Sequence, residues 1–302
     1  MTVNLASMVF GAAGSESDRT AVPAPPSVFA GNEEGGAGRR GPGGPAGPVA
    51  PQTTADAAGW FALGLGGFVG GQILSVVILS VMAAANGHGK DLSVLVGEAV
   101  PPAWVVIGGL VGLWIGFGAA VVTASKWRGT GRVAADMGLV VRRFDPVVGV
   151  VVGVVGQLGL VELIYLPFEH LDPGLSKQLE QPAKHLTGGF PGVDLAVIAV
   201  LTVVVVPVIE ELFFRGLVLR SLLRLFGPAG RIMGPVAAVT VTGILFGLAH
   251  AELVELAGLV AFGIVLSVLA YRYRRLGPSI FAHATFNLIA ILSIAYPTGL
   301  VH

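Results

Sequence analysis

The chain has 302 residues, of which 54% are hydrophobic and only 12% charged, and its mean hydropathy is +0.81. This composition argues against an ordinary soluble protein and indicates a membrane protein. The absence of cysteine excludes disulfides, cysteine-bound zinc and a thiol nucleophile. The 18 basic and 18 acidic side chains cancel formally, so the positions of the charges carry more information than their sum.

The N-terminal part, residues 1–57, is rich in Gly, Pro, Ala and Ser and shows no sustained apolar period. Such a segment buries too little apolar surface to fold, so we expect a disordered tail. Its first residues lack a basic region and lead into no cleavage-like segment. A signal peptide is therefore not expected.

From Trp60 onward, apolar stretches of about 20 residues recur, which is the length needed to cross a hydrocarbon core of about 30 Å. We expect an all-α transmembrane bundle of seven spans over residues 58–302, the fifth span being the shortest. The predicted spans are 60–84, 103–124, 147–167, 194–219, 236–251, 256–271 and 278–296.

Lysine and arginine indicate the orientation, because both are retained on the cytoplasmic side of a membrane. Fourteen of the 18 lie in the tail or in the loops after spans two, four and six. The alternate loops hold three, and Arg215 lies within a span. This distribution predicts a multi-pass protein of the plasma membrane with a cytoplasmic N-terminus.

Glycine pairs four residues apart would let neighbouring helices approach closely. Gly66 with Gly70 and Gly243 with Gly247 are such pairs. The alternative is that they reflect only the high content of 45 glycines.

The fourth span ends in VVVVPVIEELFFRGLVLR, which places Glu210, Glu211 and Arg215 among apolar residues. Each charge there costs about 2.5–3.5 kcal/mol on insertion scales. At about 100° per residue, Glu211 and Arg215 lie about 40° apart on one helix face. We therefore predict an ion pair between them.

Glu210 points about 100° away from its neighbour and is left without a local partner. It is therefore the better candidate for a general base. Pro207 lacks an N–H, so it is expected to loosen this helix and free a carbonyl toward the site.

The fifth span carries FGLAH and the seventh carries HATFN. Phe246 and His250 share one helix face, as do His283 and Asn287. Imidazole can hold a water, move a proton or bind a metal, and an asparagine amide can donate to an oxyanion. A buried Glu and Arg pair or a single histidine is often only structural, but six polar residues in three spans favour a catalytic site for amide hydrolysis.

These three motifs, EExxxR, FxxxH and HxxxN, have the order and spacing of the CPBP family over residues 194–296. The chain thus resembles the type II CAAX prenyl endopeptidases, the Rce1-like proteases. That group includes bacterial relatives described as abortive-infection or bacteriocin-immunity proteins. The resemblance implies an intramembrane endopeptidase acting on a membrane-associated protein or peptide, with prenylated CAAX-type substrates as one candidate.

The resemblance also implies the roles of single residues. Glu210 and His250 would activate the attacking water, while His283 and Asn287 would stabilise the oxyanion or help bind a metal. Glu211, Arg215 and Phe246 would support them. Two alternatives remain open for the mechanism. One uses zinc or another divalent metal bound by His250, His283 and Glu210, and the other is metal-free. Membrane lipid is an expected partner and nucleic acid is not; the oligomeric state is left open.

Counting residues from the inner ends of straight helices places His250 near the outer face and His283 near the inner face. We nevertheless expect the two histidines to converge, either because residues 226–235 dip into the membrane or because the fifth span is tilted or broken. A separation well above about 10 Å would be incompatible with a shared site.

Two other functions are compatible with parts of the pattern. Ser279 and His283 share a helix face, as in a serine protease, but no GxSG motif surrounds the serine. A membrane protein without proteolytic activity, acting in bacteriocin immunity, as a scaffold or as a transporter, could also place Glu and His in its spans.

Overall fold

The computed structural model of the protein describes Pro51, residues 53–87, residues 102–169, Asp172, residues 174–179 and residues 193–295. All of these belong to one compact unit, Pro45–His302. The described residues form helices and no strand, which confirms the predicted all-α class. Residues 1–50 of the predicted tail lie outside the described residues.

Seven apolar helices appear at the predicted places. Five are long and apolar enough to cross a membrane, while α5 and the apolar part of α7, Gly277–Ser293, are shorter. At 17 residues, α5 matches the prediction of a short fifth span. The helices are α1 (Thr54–Ala85), α2 (Ala103–Arg128), α3 (Asp145–Glu169), α4 (Leu195–Leu225), α5 (Met233–Ala249), α6 (Leu256–Tyr273) and α7 (Gly277–Ala295).

The first helix begins at Thr54, inside the last residues assigned to the tail. Thr53 and Asp56 form a capping box, in which each side chain accepts a hydrogen bond from the other residue's backbone N–H. The Asp56 carboxylate also accepts a 2.7 Å hydrogen bond from Arg128 at the end of α2. The start of α1 and the end of α2 therefore lie side by side, as alternating spans require.

The outer surface of the bundle is apolar. On α1, the side chains of Val69, Ile73 and Val76 are 55%, 60% and 59% exposed. A row of exposed aliphatic side chains along a helix would aggregate in water, whereas lipid chains solvate it without cost. This surface agrees with a membrane as the solvent.

The α1 and α2 helices pack through glycines, but not through the predicted pair. Nothing lies within 4 Å of a methyl group built on Gly66 or Gly70, so the prediction for these two is wrong. The adjacent pair, Gly67 and Gly71, faces α2 instead. A methyl group on Gly67 would lie 2.7 Å from the Gly116 carbonyl oxygen. Because two glycine pairs run in parallel here, their spacing alone could not show which one faces the partner helix.

The second predicted glycine pair is confirmed. A methyl group on Gly243 would lie 2.8 Å from the backbone nitrogen of Ile264, and one on Gly247 would lie 3.1 Å from that of Val260. The helices α5 and α6 therefore pack backbone to backbone as an antiparallel hairpin. This contact brings the end of α5, with His250, alongside the start of α6.

Helix α4 is the element that the others surround, and it contacts α1, α2, α5, α6 and α7. It is not uniformly α-helical. Wider π-helical turns occur at Leu201–Val205 and Glu211–Val218, on either side of the α-helical turn Val206–Glu210. Single π turns inside α-helices are frequent at functional sites. The turn that carries Glu210 is therefore bounded on both sides by irregular backbone.

The start of α7 is fixed to the segment that precedes α3. Arg275 donates three hydrogen bonds to the Asp145 carboxylate, the shortest at 2.6 Å. The Leu276 N–H donates to the Gly138 carbonyl at 2.9 Å, and the Leu276 side chain is buried. These bonds hold the first turn of α7 inside the protein.

The glycine contact between α1 and α2 gives the first prediction. Gly67→Ala should lower the unfolding midpoint in detergent by several degrees, because the added methyl group meets the backbone of α2. Gly66→Ala is the matched control, since it adds the same methyl group to the next residue of the same helix. Alanine there should leave the midpoint unchanged or raise it. Equal effects of the two substitutions on the midpoint would contradict this packing.

Candidate active site

The centre of the site is the predicted ion pair on α4. The Arg215 Nη1 donates to Glu211 Oε1 at 2.8 Å, and both side chains have no exposed surface. Arg215 Nη2 donates to the Gly263 carbonyl of α6 at 2.9 Å. The pair lies in a π-helical turn, in which residues four apart remain on nearly the same face of the helix. The prediction of the ion pair from helical spacing is confirmed.

The aromatic ring of Phe246 links the ion pair to both histidines. The Arg215 guanidinium lies over this ring, 4.4 Å from its centre. The ring centres of His250 and His283 lie 4.6 and 5.5 Å from that of Phe246. A desolvated cation over an aromatic face gains about 2 kcal/mol. Phe246 thus contacts the guanidinium and both imidazoles.

His283 connects the two glutamates. Its Nδ1 lies 3.2 Å from Glu211 Oε1, which already accepts from Arg215. Since a carboxylate in an ion pair accepts hydrogen bonds, Nδ1 is the donor. The other ring nitrogen, Nε2, lies 3.9 Å from Glu210 Oε2. The chain from Arg215 through Glu211 therefore fixes the orientation of His283 toward Glu210.

His250 is oriented in the same way by a different acceptor. Its Nδ1 donates to the Phe246 carbonyl at 2.8 Å, because a carbonyl oxygen can only accept. Its Nε2 lies 4.0 Å from the same Glu210 Oε2. The two Nε2 atoms are thus no more than about 8 Å apart. The predicted convergence of the histidines is confirmed.

The convergence does not need a broken helix, since α5 is continuous from Met233 to Ala249. Two features account for it. The His250 ring turns back by one helical turn to reach the Phe246 carbonyl. His283 is directed toward Glu210 from α7 through the contact of its Nδ1 with Glu211.

Glu210 is the member of the cluster without a hydrogen bond. The side chain is 9% exposed, and no donor lies within hydrogen-bond distance of its buried Oε2. A buried carboxylate oxygen rarely lacks a partner, and a water or ligand is one group that can supply it. Glu211 Oε2 also lacks a partner, but Glu211 Oε1 already contacts Arg215 and His283. Glu210 Oε2 and the two Nε2 atoms face one another across gaps of about 4 Å.

Asn287 has a different environment from the one predicted. Its Nδ2 donates at 2.9 Å to the Thr202 carbonyl, in the π turn that precedes Pro207. Pro207 therefore does accompany a freed carbonyl, as predicted. One N–H of the Asn287 amide is used there, and one remains.

The cluster opens at the end of α5. The His250 side chain is 29% exposed, against 4% for His283. The segment that follows, up to the start of α6, carries Glu252 and Glu255. Burial, and then the neighbouring Glu252 charge, raise the pKa of Glu255 to about 7. The charge of this rim therefore changes near neutral pH.

The three candidate metal ligands are spaced more widely than the ligands of a tetrahedral metal. Ligands about 2.0–2.2 Å from zinc lie about 3.4 Å from one another. The distances from Glu210 Oε2 to the two Nε2 atoms, 3.9 and 4.0 Å, are longer. Among the described residues, no group of three His, Cys, Asp or Glu side chains has metal-binding geometry. The suggested ligands His250, His283 and Glu210 do not fit tetrahedral zinc at these positions.

The sequence did not reveal the backbone acceptors of the site. The carbonyls of Gly263 and Thr202 bind Arg215 and Asn287, and a carbonyl carries no side-chain signature. Phe214 could have been found, because it lies within the EELFFR motif. Its ring packs edge-on against Phe246 with the centres 5.3 Å apart.

The fold and this cluster define a multi-pass helical membrane protein with a buried Glu, Arg and His site. Residues 192–289, about a third of the chain, match the family described as Type II CAAX prenyl endopeptidase Rce1-like. This part of the chain is therefore similar to that protease family, and all three motifs lie within the matched residues. No match was found among curated proteins or among solved structures.

The different environments of the two glutamates give the second prediction. Glu211→Gln should lower the unfolding midpoint by about 6 °C or more, because breaking a buried ion pair costs about 3–5 kcal/mol. Glu210→Gln should change it by no more than about 2 °C, since Glu210 Oε2 has no hydrogen bond to lose. Thermal unfolding in detergent measures both. Similar losses for the two variants would contradict the assigned ion pair.

Proposed function

We propose that the protein is an intramembrane endopeptidase that hydrolyses a peptide bond of a membrane-associated protein, with a water activated by Glu210 and His250. The observation that carries the proposal is the convergence of a hydrogen-bond-free carboxylate oxygen and two oriented imidazoles at one buried point. A structural ion pair would need only Glu211 and Arg215.

A water between Glu210 Oε2 and His250 Nε2 would complete this arrangement. At about 2.8 Å from each atom it would bridge the gap of 4.0 Å with an angle of about 90° between its two donated hydrogen bonds. Glu210 takes one proton, and the resulting hydroxide attacks the carbonyl carbon of the peptide. His250 accepts the other hydrogen bond and orients the oxygen. The spacing supports water better than a tetrahedral metal.

His283 acts on the tetrahedral intermediate. Its Nδ1 is held by Glu211, and its Nε2 points into the same centre. When Nε2 carries a proton, it donates to the oxyanion, and the Glu211 carboxylate compensates the positive charge. Glu210 then delivers its proton to the leaving nitrogen as the C–N bond breaks, which returns the carboxylate to its starting state.

The substrate is proposed at the level of its class. The cluster is reached at the partly exposed His250 and is otherwise enclosed by apolar helices. A peptide bond that enters it must lie in or near the membrane, so the substrate is a membrane-embedded or membrane-anchored protein. A prenylated C-terminal segment of the kind named by the matching family is one such anchor.

Glu210→Gln should abolish proteolysis while the protein remains folded. New N-termini in membrane fractions can be counted by mass spectrometry in cells with the wild type or the variant. Loss of the base should lower the rate of product formation by at least about 100-fold. Glu252→Gln is the matched control, because it makes the same change at an exposed position near the opening and should leave the products unchanged.

The same count separates the alternatives. Product formation that survives Glu210→Gln, or a wild type that generates no product, would overturn the proposal and favour the function without proteolysis. A membrane-permeant metal chelator should leave product formation unchanged, and its loss would instead require a metal in the reaction. Ser279→Ala should also retain the products, since Ser279 Oγ donates to the Leu276 carbonyl rather than to His283.

A further inference from the structure

The π turn before Pro207 leaves one carbonyl of α4 without a backbone donor. The Val206 N–H donates to the Leu201 carbonyl, five residues earlier. In an α-helix it would instead donate to the carbonyl of Thr202. The next donor in the wider register would be residue 207, but proline has no N–H. The Thr202 carbonyl therefore has no backbone N–H donor within its own helix.

Asn287 supplies the missing donor from α7. Its Nδ2 lies 2.9 Å from the Thr202 carbonyl oxygen, and this contact is partly buried. An unsatisfied carbonyl in an apolar bundle costs several kcal/mol, so a side-chain donor at this place has a large effect. Thr202 itself is 8% exposed, which limits access of water to the carbonyl.

We propose that Asn287 is a positioning residue, whose amide satisfies the carbonyl freed by Pro207 and thereby keeps α4 in the register that directs Glu210 at the histidines. Glu210 lies three residues after Pro207, in the single α-helical turn between the two π turns. A return of the first π turn to α-helical geometry would rotate the following residues by up to about 100°. Glu210 would then leave the centre shared with His250 and His283.

This inference rests on the proposed function for its catalytic consequence, but the hydrogen bond can be tested without it. A role confined to the oxyanion would make Asn287 independent of Pro207. A role on the Thr202 carbonyl makes the two residues interdependent. In Pro207→Ala the restored backbone N–H can donate to the Thr202 carbonyl, so Asn287 becomes dispensable there.

The test is a double-mutant cycle of Pro207→Ala and Asn287→Leu in the full-length protein, followed by thermal unfolding in detergent. Leucine has nearly the shape of asparagine and no donor. In the wild-type background, Asn287→Leu should lower the unfolding midpoint by about 4 °C or more. In the Pro207→Ala background the same substitution should change it by less than half as much. Ser293→Ala is the control, because it removes a hydrogen bond internal to α7 and should show no such coupling.

The catalytic consequence has its own readout. Asn287→Leu should reduce the new membrane-protein N-termini by at least about tenfold, and the double variant should recover most of them. Additive midpoint shifts would overturn the proposal. Coupled midpoints without recovery of products would also overturn it, because the bond would then hold the fold and not the position of Glu210. If the wild-type protein forms no products, only the proposed function is overturned. The unfolding midpoints then still show whether Asn287 donates to the Thr202 carbonyl.

Discussion

A guanidinium and a carboxylate that lie together inside an apolar bundle cannot be separated without leaving one unpaired buried charge. Glu211 and Arg215 are in this situation, since both side chains are fully enclosed. Each has a second contact that serves the site: Glu211 accepts from His283, and Arg215 lies over Phe246. The ion pair therefore connects α4 with α5, α6 and α7 and orients His283, while the Phe246 carbonyl orients His250.

Within lipid, the burial of apolar side chains away from water does not drive helices together. Close backbone contact takes its place, at Gly67 on α1 and at Gly243 and Gly247 on α5. The α5 and α6 hairpin brings the Gly263 carbonyl to Arg215 and His250 to the opening. Near the start of α7, Arg275 and its hydrogen bonds to Asp145 fix the end of the helix that carries His283.

The features that sequence could predict are those governed by local periodicity. The length of the apolar stretches predicted seven helices. The four-residue spacing of Glu211 and Arg215 predicted the ion pair and left Glu210 without a partner on its own helix. Counting along straight helices could not give the approach of His250 to His283, because it depends on how α5 and α7 pack against α4. The facing glycines of α1 were missed by one residue, since Gly66 and Gly67 both have a partner four residues on.

The π turns of α4 were only partly predictable. Pro207 indicates a free carbonyl, but the register of the preceding turn determines which one it is. The structure assigns it to Thr202, whose donor comes from a helix far along the chain. This contact gives Asn287 a role different from that of the two histidines, because it binds the backbone of the helix that carries Glu210. Irregular backbone in a membrane helix thus needs a donor from a neighbour, and the position of that donor has consequences for the site.

Both imidazoles use Nδ1 as a donor and turn Nε2 toward Glu210. Solid-state ¹⁵N NMR of histidine-labelled protein in lipid measures this directly, and His250→Ala and His283→Ala identify the two signals among the six histidines. The expected result is a protonated Nδ1 in both residues, with the His283 signal shifted in Glu211→Gln. An unprotonated Nδ1 in either residue would contradict it.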